Sequence, residues 1–298
     1  MFNLAAFRYR NAFVTAGGPV ERVEMADLSI LGRREFLANA YLRPGLVKDR
    51  ETRVMFSQAN GSGVSSSPMV ARFMAISEAM ERWAYDLLHA ADTPGYGFDI
   101  DPSSNGMAAY PGLFRRQARP GALMEATERF NVLNWWEGRL PASESSTRWT
   151  GVRAATICSE APGVTVILFK RTAGGHFAYG HACAMDYEGA CRKAAVEMER
   201  HELVTAHFAV THAGRIENQL PAAAHPIERR SLFFATDAGH ELFLERLRSG
   251  PHKPAPKPRM VFDGPIPGPW SRYADVWRTV YEPPSDRFLG MEENYFFW

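Results

Sequence analysis

The feature that most constrains this chain is an internal repeat. Two segments, 119 residues apart, share the pattern G-x9-A-x3-A-x2-E. The matched pairs are Gly61 with Gly180, Ala71 with Ala190, Ala75 with Ala194, and Glu78 with Glu197. Alanines and a glutamate at this spacing lie on one face of a helix, so each segment predicts a stripe of small residues that ends in a carboxylate. A repeat of this kind predicts a duplicated strand–helix unit.

Helix boundaries follow from caps and breakers around the two copies. Ser67 followed by Pro68 predicts the start of the first helix, which can run until Pro94. Asp186 is the corresponding N-cap of the second helix. Residues 222–248 predict a further helix.

Apolar and β-branched runs predict the strands, and Gly- and Pro-rich segments predict the connections. The predicted strands are residues 20–25, 53–56, 129–140, 149–158, 164–170 and 177–185, the last two joined as a hairpin through Gly174 and Gly175. Residues 94–121 predict a long connection and residues 250–269 an extended, Pro-rich surface segment. The aromatic tail, residues 270–298, is expected to dock on the protein, because exposed aromatic surface is costly.

These elements predict an α/β (α+β) fold. We expect a duplicated strand–helix core with mixed, mostly antiparallel sheets, organised as one continuous domain over residues 1–298 with a core at about 15–245. Sheets of this kind must bury one face against helices.

Composition excludes several classes of protein. The chain has 34 Lys+Arg against 33 Asp+Glu, a balance that disfavours nucleic-acid binding. No apolar run approaches the ~20 residues of a membrane span. Three cysteines without a C-x-x-C motif predict a reducing compartment, and the first twenty residues show no secretory signal, so we expect a cytoplasmic protein.

The acidic ends of the two stripes are the strongest candidates for a functional site. If the copies pack about a pseudo-twofold axis, their carboxylates converge, repel one another and require a cation. Hard oxygen ligands favour Mg²⁺, which usually also binds nucleotide phosphates. The alternative is a solvated helix face on which Glu78 and Arg82 form an i, i+4 ion pair.

Other motifs give weaker signals. Gly61-Ser62-Gly63, before a serine cluster, could cradle phosphate or be an ordinary turn, and it lacks the lysine of a Walker A loop. A zinc motif starting at His201 would need a histidine where Thr205 stands. The lone histidines, His212 among them, show no metal spacing, and no cysteine has an evident activating group.

Gly61-x-Gly63 leading into Glu78-Ala79-Met80-Glu81-Arg82-Trp83 resembles the signature of the YcaO domain family. Residues 190–197 resemble the second acidic helix of that family, and the resemblance covers residues 15–245. It implies an ATP- and Mg²⁺-dependent enzyme that activates a peptide backbone amide by phosphorylating its oxygen. Members of the family modify ribosomally made peptides to azolines (the precursors of thiazoles and oxazoles), thioamides or amidines. The resemblance also implies a precursor peptide substrate, a peptide-binding partner protein and a homodimer.

The same resemblance implies roles for individual residues. Glu78, Glu81 and Glu197 would bind Mg²⁺ and form the catalytic set, and Arg82 would contact phosphate. Further ATP contacts would come from Thr15, Gly63, Ser65, Arg200 and His201.

The chain departs from the family pattern at several of its positions. Met74 stands where the family has Ser, and Ser62 where a Gly-Lys-Gly loop has Lys. Arg200 and His201 stand where the second helix carries Glu or Gln followed by Arg. A cation at position 200 would weaken a second Mg²⁺ site or neutralise a phosphate itself.

Three functions therefore stay open. The first is an ATP-dependent peptide-modifying enzyme. The second is a divergent paralogue that holds a peptide or partner without turning over ATP. The third is an unrelated structural protein whose acidic helices are simply solvated.

Overall fold

The computed structural model describes residues 3–48, 55–90, 95–211, 225–282 and 285–298. The chain forms two compact units. The first comprises residues 1–50, 58–126 and 260–282, and the second comprises residues 51–57, 127–259 and 283–298. The expected organisation as one continuous domain stays a prediction.

Two three-stranded sheets and a long helix build the first unit. One sheet has the order β1 (Val20–Ile30), β2 (Arg33–Leu42) and β3 (Gly61–Ser65), with antiparallel pairing throughout. The other has the order β4 (Met107–Tyr110), β10 (Asp275–Glu282) and β9 (Arg259–Ile266). Helix α1 (Ala5–Arg8) and two 3₁₀ turns precede β1, and helix α2 (Pro68–Ala90) packs on β2 and β3.

A four-stranded antiparallel sheet and its helices build the second unit. The strands follow chain order as β5 (Ala142–Ser145), β6 (Arg153–Ile157), β7 (Val164–Arg171) and β8 (Phe177–Ala184). Helix α4 (Tyr187–Thr211) packs on β7 and β8. The remaining helices are α5 (Pro226–Phe234), α6 (Asp237–Arg248) and α7 (Asp286–Leu289).

The duplicated strand–helix unit is present in both units of the chain. In each copy the last strand carries a glycine against which the helix backbone packs. A Cβ on Gly61 would lie 2.3 Å from the Ala75 carbonyl oxygen, and a Cβ on Gly180 would lie 2.2 Å from the Ala194 carbonyl oxygen. Both alanines are fully buried. The repeated glycine and alanines are therefore explained by close packing of a helix on a strand.

The predicted starts of the two long helices are confirmed. Helix α2 begins at Pro68, directly after Ser67. The side chain of Asp186 accepts a hydrogen bond from the Gly189 N–H at 2.7 Å, as an N-cap residue should. The predicted strands at 20–25, 164–170 and 177–185 lie within or closely match β1, β7 and β8. The strand predicted at residues 149–158 is shorter in the structure, where β6 covers only Arg153–Ile157.

The strand predicted at residues 129–140 is wrong. Helix α3 (Arg119–Trp136) covers most of that segment, beginning in the first unit and ending in the second. Its C-terminal half buries apolar side chains on every face, including those of Phe130, Leu133 and Trp135. A helix buried all round shows no 3.6-residue periodicity, so its apolar run resembles that of a buried strand.

Four further expectations need correction. The connection predicted at residues 94–121 contains β4 and the start of α3, and the Pro-rich segment at 250–269 contains the whole of β9. Residues 222–248 hold two helices, α5 and α6, rather than one; residues 222–224 lie outside the described part. Of the strand predicted at 53–56, Met55 and Phe56 form a bend and the other two residues lie outside the described part.

The aromatic tail docks as expected. In the second unit Tyr295, Phe296 and Phe297 are buried. The Phe296 ring lies 4.9 Å from that of Phe243 and 5.7 Å from that of Trp135. No helix formed by the described residues is both long and apolar enough to cross a membrane.

Candidate functional site

Helix α2 carries Glu78 and Glu81 one turn apart in the first unit. The Glu78 carboxylate accepts a hydrogen bond from the backbone N–H of Ser62 at 3.0 Å through Oε2. Ser62 belongs to β3, so the close packing of α2 on that strand fixes the position of the carboxylate. The stripe of small residues therefore holds Glu78 at the edge of the first sheet.

Glu81 lies in a cluster of like charges. Burial, followed by the negative charges of Glu125 and Glu78, raises its pKa well above the ordinary value of a glutamate. The positive charge of Arg82 and a hydrogen bond to the backbone of Ala109 act in the opposite direction but do not cancel the effect. All five residues belong to the first unit.

Glu125, on α3, is a functional candidate that the sequence reasoning missed. The sequence predicts no element at residues 122–128, between the predicted connection and the predicted strand. A signal was nevertheless present, because residues 125–129 read E-A-T-E-R and residues 78–82 read E-A-M-E-R. The motif that drew attention to α2 therefore occurs a second time, on another helix.

The acidic cluster fits Mg²⁺ in charge and in donor chemistry. Its carboxylate oxygens are hard ligands, and its like charges raise a carboxyl pKa, which a bound cation would reverse. Within the described ranges, however, no three residues among His, Cys, Asp and Glu are grouped closely enough to hold a metal ion. The described acidic residues therefore do not form a complete set of metal ligands by themselves.

In the second copy the corresponding carboxylate is paired. Glu197 is exposed on α4, and Arg200 Nη1 lies 3.1 Å from its Oε1. Arg200 stands three residues after Glu197, where Glu81 stands in the first copy. An arginine at this position neutralises the glutamate that a second acidic site would use. The ion pair therefore lends no support to the roles expected of Glu197 in metal binding and of Arg200 in ATP binding.

His201 is buried with both ring nitrogens in use. Nδ1 accepts a hydrogen bond from the Tyr179 N–H at 3.0 Å, and Nε2 donates to the Ser231 carbonyl oxygen at 3.2 Å. Burial lowers its pKa to about 4, so the ring is neutral at pH 7. These contacts give His201 a structural role and lend no support to the ATP contact expected of it.

The remaining predicted ATP contacts, Thr15, Gly63, Ser65 and Arg82, all belong to the first unit. Thr15 is exposed in a 3₁₀ turn. The Ser65 hydroxyl accepts a hydrogen bond from the Ser67 N–H at 3.2 Å. Gly63 lies in strand β3 and not in a turn, and a Cβ there would meet the Ala71 carbonyl oxygen at 2.2 Å. Its missing side chain is explained by helix packing.

The second unit holds a glutamate–histidine pair that the sequence reasoning missed. Glu128 accepts a hydrogen bond from His181 Nδ1 at 2.7 Å and another from the Cys183 N–H at 3.1 Å. Burial raises the pKa of the Cys183 thiol to about 11. This thiol is therefore protonated at pH 7, in agreement with the absence of an activating motif.

Comparison with known proteins supports the fold. No protein-family model matches the chain, and no curated protein matches its sequence. Among solved structures it is similar to YcaO from Methanopyrus kandleri, determined with bound AMPPCP and Mg²⁺. The TM-score is 0.51 at 14% sequence identity, over 98% of this chain and 92% of that one. The chain has a YcaO-like fold. At this identity the likeness concerns the fold alone, and membership of the family stays a prediction.

Proposed function

We propose that this chain binds ATP with Mg²⁺ and uses it to activate a peptide backbone amide, as a YcaO-type enzyme. The observation that carries the proposal is the acidic cluster on α2, in which burial and like charges raise the pKa of Glu81. The shared fold supports it, because the similar protein from Methanopyrus kandleri was solved with an ATP analogue and Mg²⁺.

The incomplete coordination shell is consistent with this proposal. Mg²⁺ is usually held by one or two carboxylates together with substrate phosphates and water. Glu78 and Glu81 supply such carboxylates, and Glu125 adds negative charge beside Glu81. When bound, the metal would neutralise charge that develops on the transferring phosphoryl group.

Individual residues take the following roles in this proposal. The Ser62 N–H orients Glu78 by occupying one carboxylate oxygen, and Glu81 changes protonation as the cation binds. Arg82 contacts phosphate, and Thr15 and Ser65 are reachable polar groups for the nucleotide. Glu197 and Arg200 stay candidates for a further contribution from the second unit.

The finer assignments also belong to the proposal. The substrate would be a precursor peptide, modified to an azoline, thioamide or amidine, with a peptide-binding partner protein and a homodimeric enzyme. These expectations come from the resemblance to the family, so they depend on the nucleotide chemistry being correct.

Titration calorimetry with Mg·AMPPCP tests the site. We expect E81Q and E78Q each to weaken binding at least about tenfold, since each removes a carboxyl group that would bind the cation as a carboxylate. E35Q, which changes a half-buried glutamate on strand β2 of the same unit, is the matched control. Unchanged affinity in both α2 variants would refute the site, and E197Q measured in parallel tests the second copy separately.

One observation favours a second candidate, a scaffold that holds a peptide or partner without turning over ATP. The second copy pairs Glu197 with Arg200 and buries His201. A phosphate-release assay on the full chain with its peptide and partner separates the two. Turnover that E81Q abolishes supports the enzyme, and nucleotide binding without turnover supports the scaffold.

A further inference from the structure

A groove of about 580 Å³ lies in the first unit between the N-terminal segment, β1 and α2. Its floor includes Tyr9 and Ile76, which are both buried. The Tyr9 ring lies 5.9 Å from the Phe73 ring, and its hydroxyl lies 2.6 Å from Ser77 Oγ. These contacts hold an aromatic and aliphatic floor in place.

Methionines form part of the rim. Met25 is 43% exposed and Met69 is 59% exposed. Flexible thioether side chains adapt to differently shaped apolar partners and are common on surfaces that bind peptides. Two exposed methionines therefore stand beside a concave apolar floor, rather than scattered singly over the surface.

The charge of the groove is one-sided. Arg10 and Arg72 line it, and none of the described lining residues is acidic. Within the described ranges, neither arginine forms an ion pair. The Arg72 guanidinium lies 4.8 Å above the Phe13 ring, a contact that orients it at the groove. Guanidinium groups present paired donors that match a carboxylate.

We propose that this groove binds a peptide segment in which an apolar side chain lies next to a carboxylate. The apolar side chain would rest on Tyr9 and Ile76, and the carboxylate would meet Arg10 or Arg72. The volume falls in the range of pockets that enclose small ligands, so it suits one or two side chains. Nothing in the proposal depends on nucleotide binding.

Fluorescence anisotropy with the full chain tests it. The probe is fluorescein-labelled Gly-Glu-Leu-Leu-Glu-Gly, and the matched peptides replace both Glu with Lys or both Leu with Ser. We expect the probe to bind and each matched peptide to bind at least about tenfold more weakly. The R10Q/R72Q double variant should weaken probe binding to the same extent, while R33Q, which changes an exposed arginine outside the groove, should not.

Folding and self-association need their own measurements. Circular dichroism checks that R10Q/R72Q is folded. M69Q removes apolar surface from the rim but leaves the floor unchanged, and it should lower the affinity for the probe several-fold. The proposal fails if the lysine peptide binds as well as the probe, or if no binding is seen at about 1 mM. It also fails if sedimentation velocity shows a dimer that R10Q/R72Q dissociates, because a second copy would then occupy the groove.

Discussion

Replacement of His201 by glutamine gives the sharpest test of the second unit. The folded protein keeps this histidine neutral, with a pKa lowered by burial to about 4 from an ordinary value of 6.5. Between these two values the unfolded chain binds a proton that the folded chain does not. Stability must therefore fall as the pH drops through 6.5 and continue to fall until about 4.

The size of the effect follows from the same two values. Each pH unit inside the window is worth about 1.4 kcal/mol. Lowering the pH from 7.5 to 5.0 should cost about 2 kcal/mol of unfolding free energy through this one group. The H201Q variant cannot titrate there, so its stability should depend less on pH by about that amount. It should also be less stable at pH 7.5, because glutamine cannot fully replace both hydrogen bonds.

Urea unfolding at pH 7.5 and pH 5.0 measures this difference. H207Q is the matched control, because His207 lies on the same helix with an exposed side chain. NMR titration of the wild-type imidazole gives the pKa directly. A His201 pKa near 6.5, or equal pH dependence in wild type and H201Q, would refute the buried, neutral assignment. A large loss of Mg·AMPPCP affinity in H201Q would instead favour the ATP contact that the family resemblance implies.

Three further outcomes follow from packing and burial. G61A should destabilise the protein by about 3 kcal/mol in urea unfolding, because backbone of α2 occupies the space of the new methyl group, whereas G174A, with its nearest neighbour 3.6 Å away, should change stability little. Mass spectrometry after brief alkylation at pH 8 should find the exposed Cys158 modified well before the buried Cys183, and equal rates would contradict the burial. R230M should free the C-terminal segment, whose carbonyl oxygens Arg230 binds, costing about 3 kcal/mol and increasing cleavage of the tail in limited proteolysis.

Short sequence patterns predicted the helices and strands that are stabilised by contacts between residues close together in the sequence. Helices α2 and α4 begin directly after cap-type residues, and the β7–β8 hairpin turns at a Gly-Gly pair that follows a β-branched strand. The helix starts and the hairpin therefore agree closely with the sequence. The repeat also predicted the duplicated strand–helix unit, although the glycine-to-alanine contacts within it are seen only in the structure. These signals lie within about thirty residues of one another, where sequence spacing and spatial proximity coincide.

Elements that depend on distant partners were not predictable in this way. Strand β10 pairs with β4 across most of the chain, with Asp275 opposite Tyr110. No local pattern encodes such a pairing, so residues 94–121 resemble a connection. Helix α3 was not predicted for a different reason: its C-terminal half is buried on all faces, and this removes the amphipathic pattern by which a helix is identified. Because α3 was not predicted, Glu125 was not identified as a candidate, since only the fold brings its charge near Glu81.

The two copies show how one packing solution can carry different electrostatics. Glycine on the strand and alanine on the helix are required in both copies, because both helices approach a strand too closely for larger side chains. The residue three positions after the shared glutamate is not constrained by that contact. In the first copy it is Glu81, whose pKa is raised; in the second it is Arg200, which pairs with Glu197. The repeat therefore accounts for the packing and for the shared glutamate, and the charge around that glutamate depends on a residue at which the copies differ.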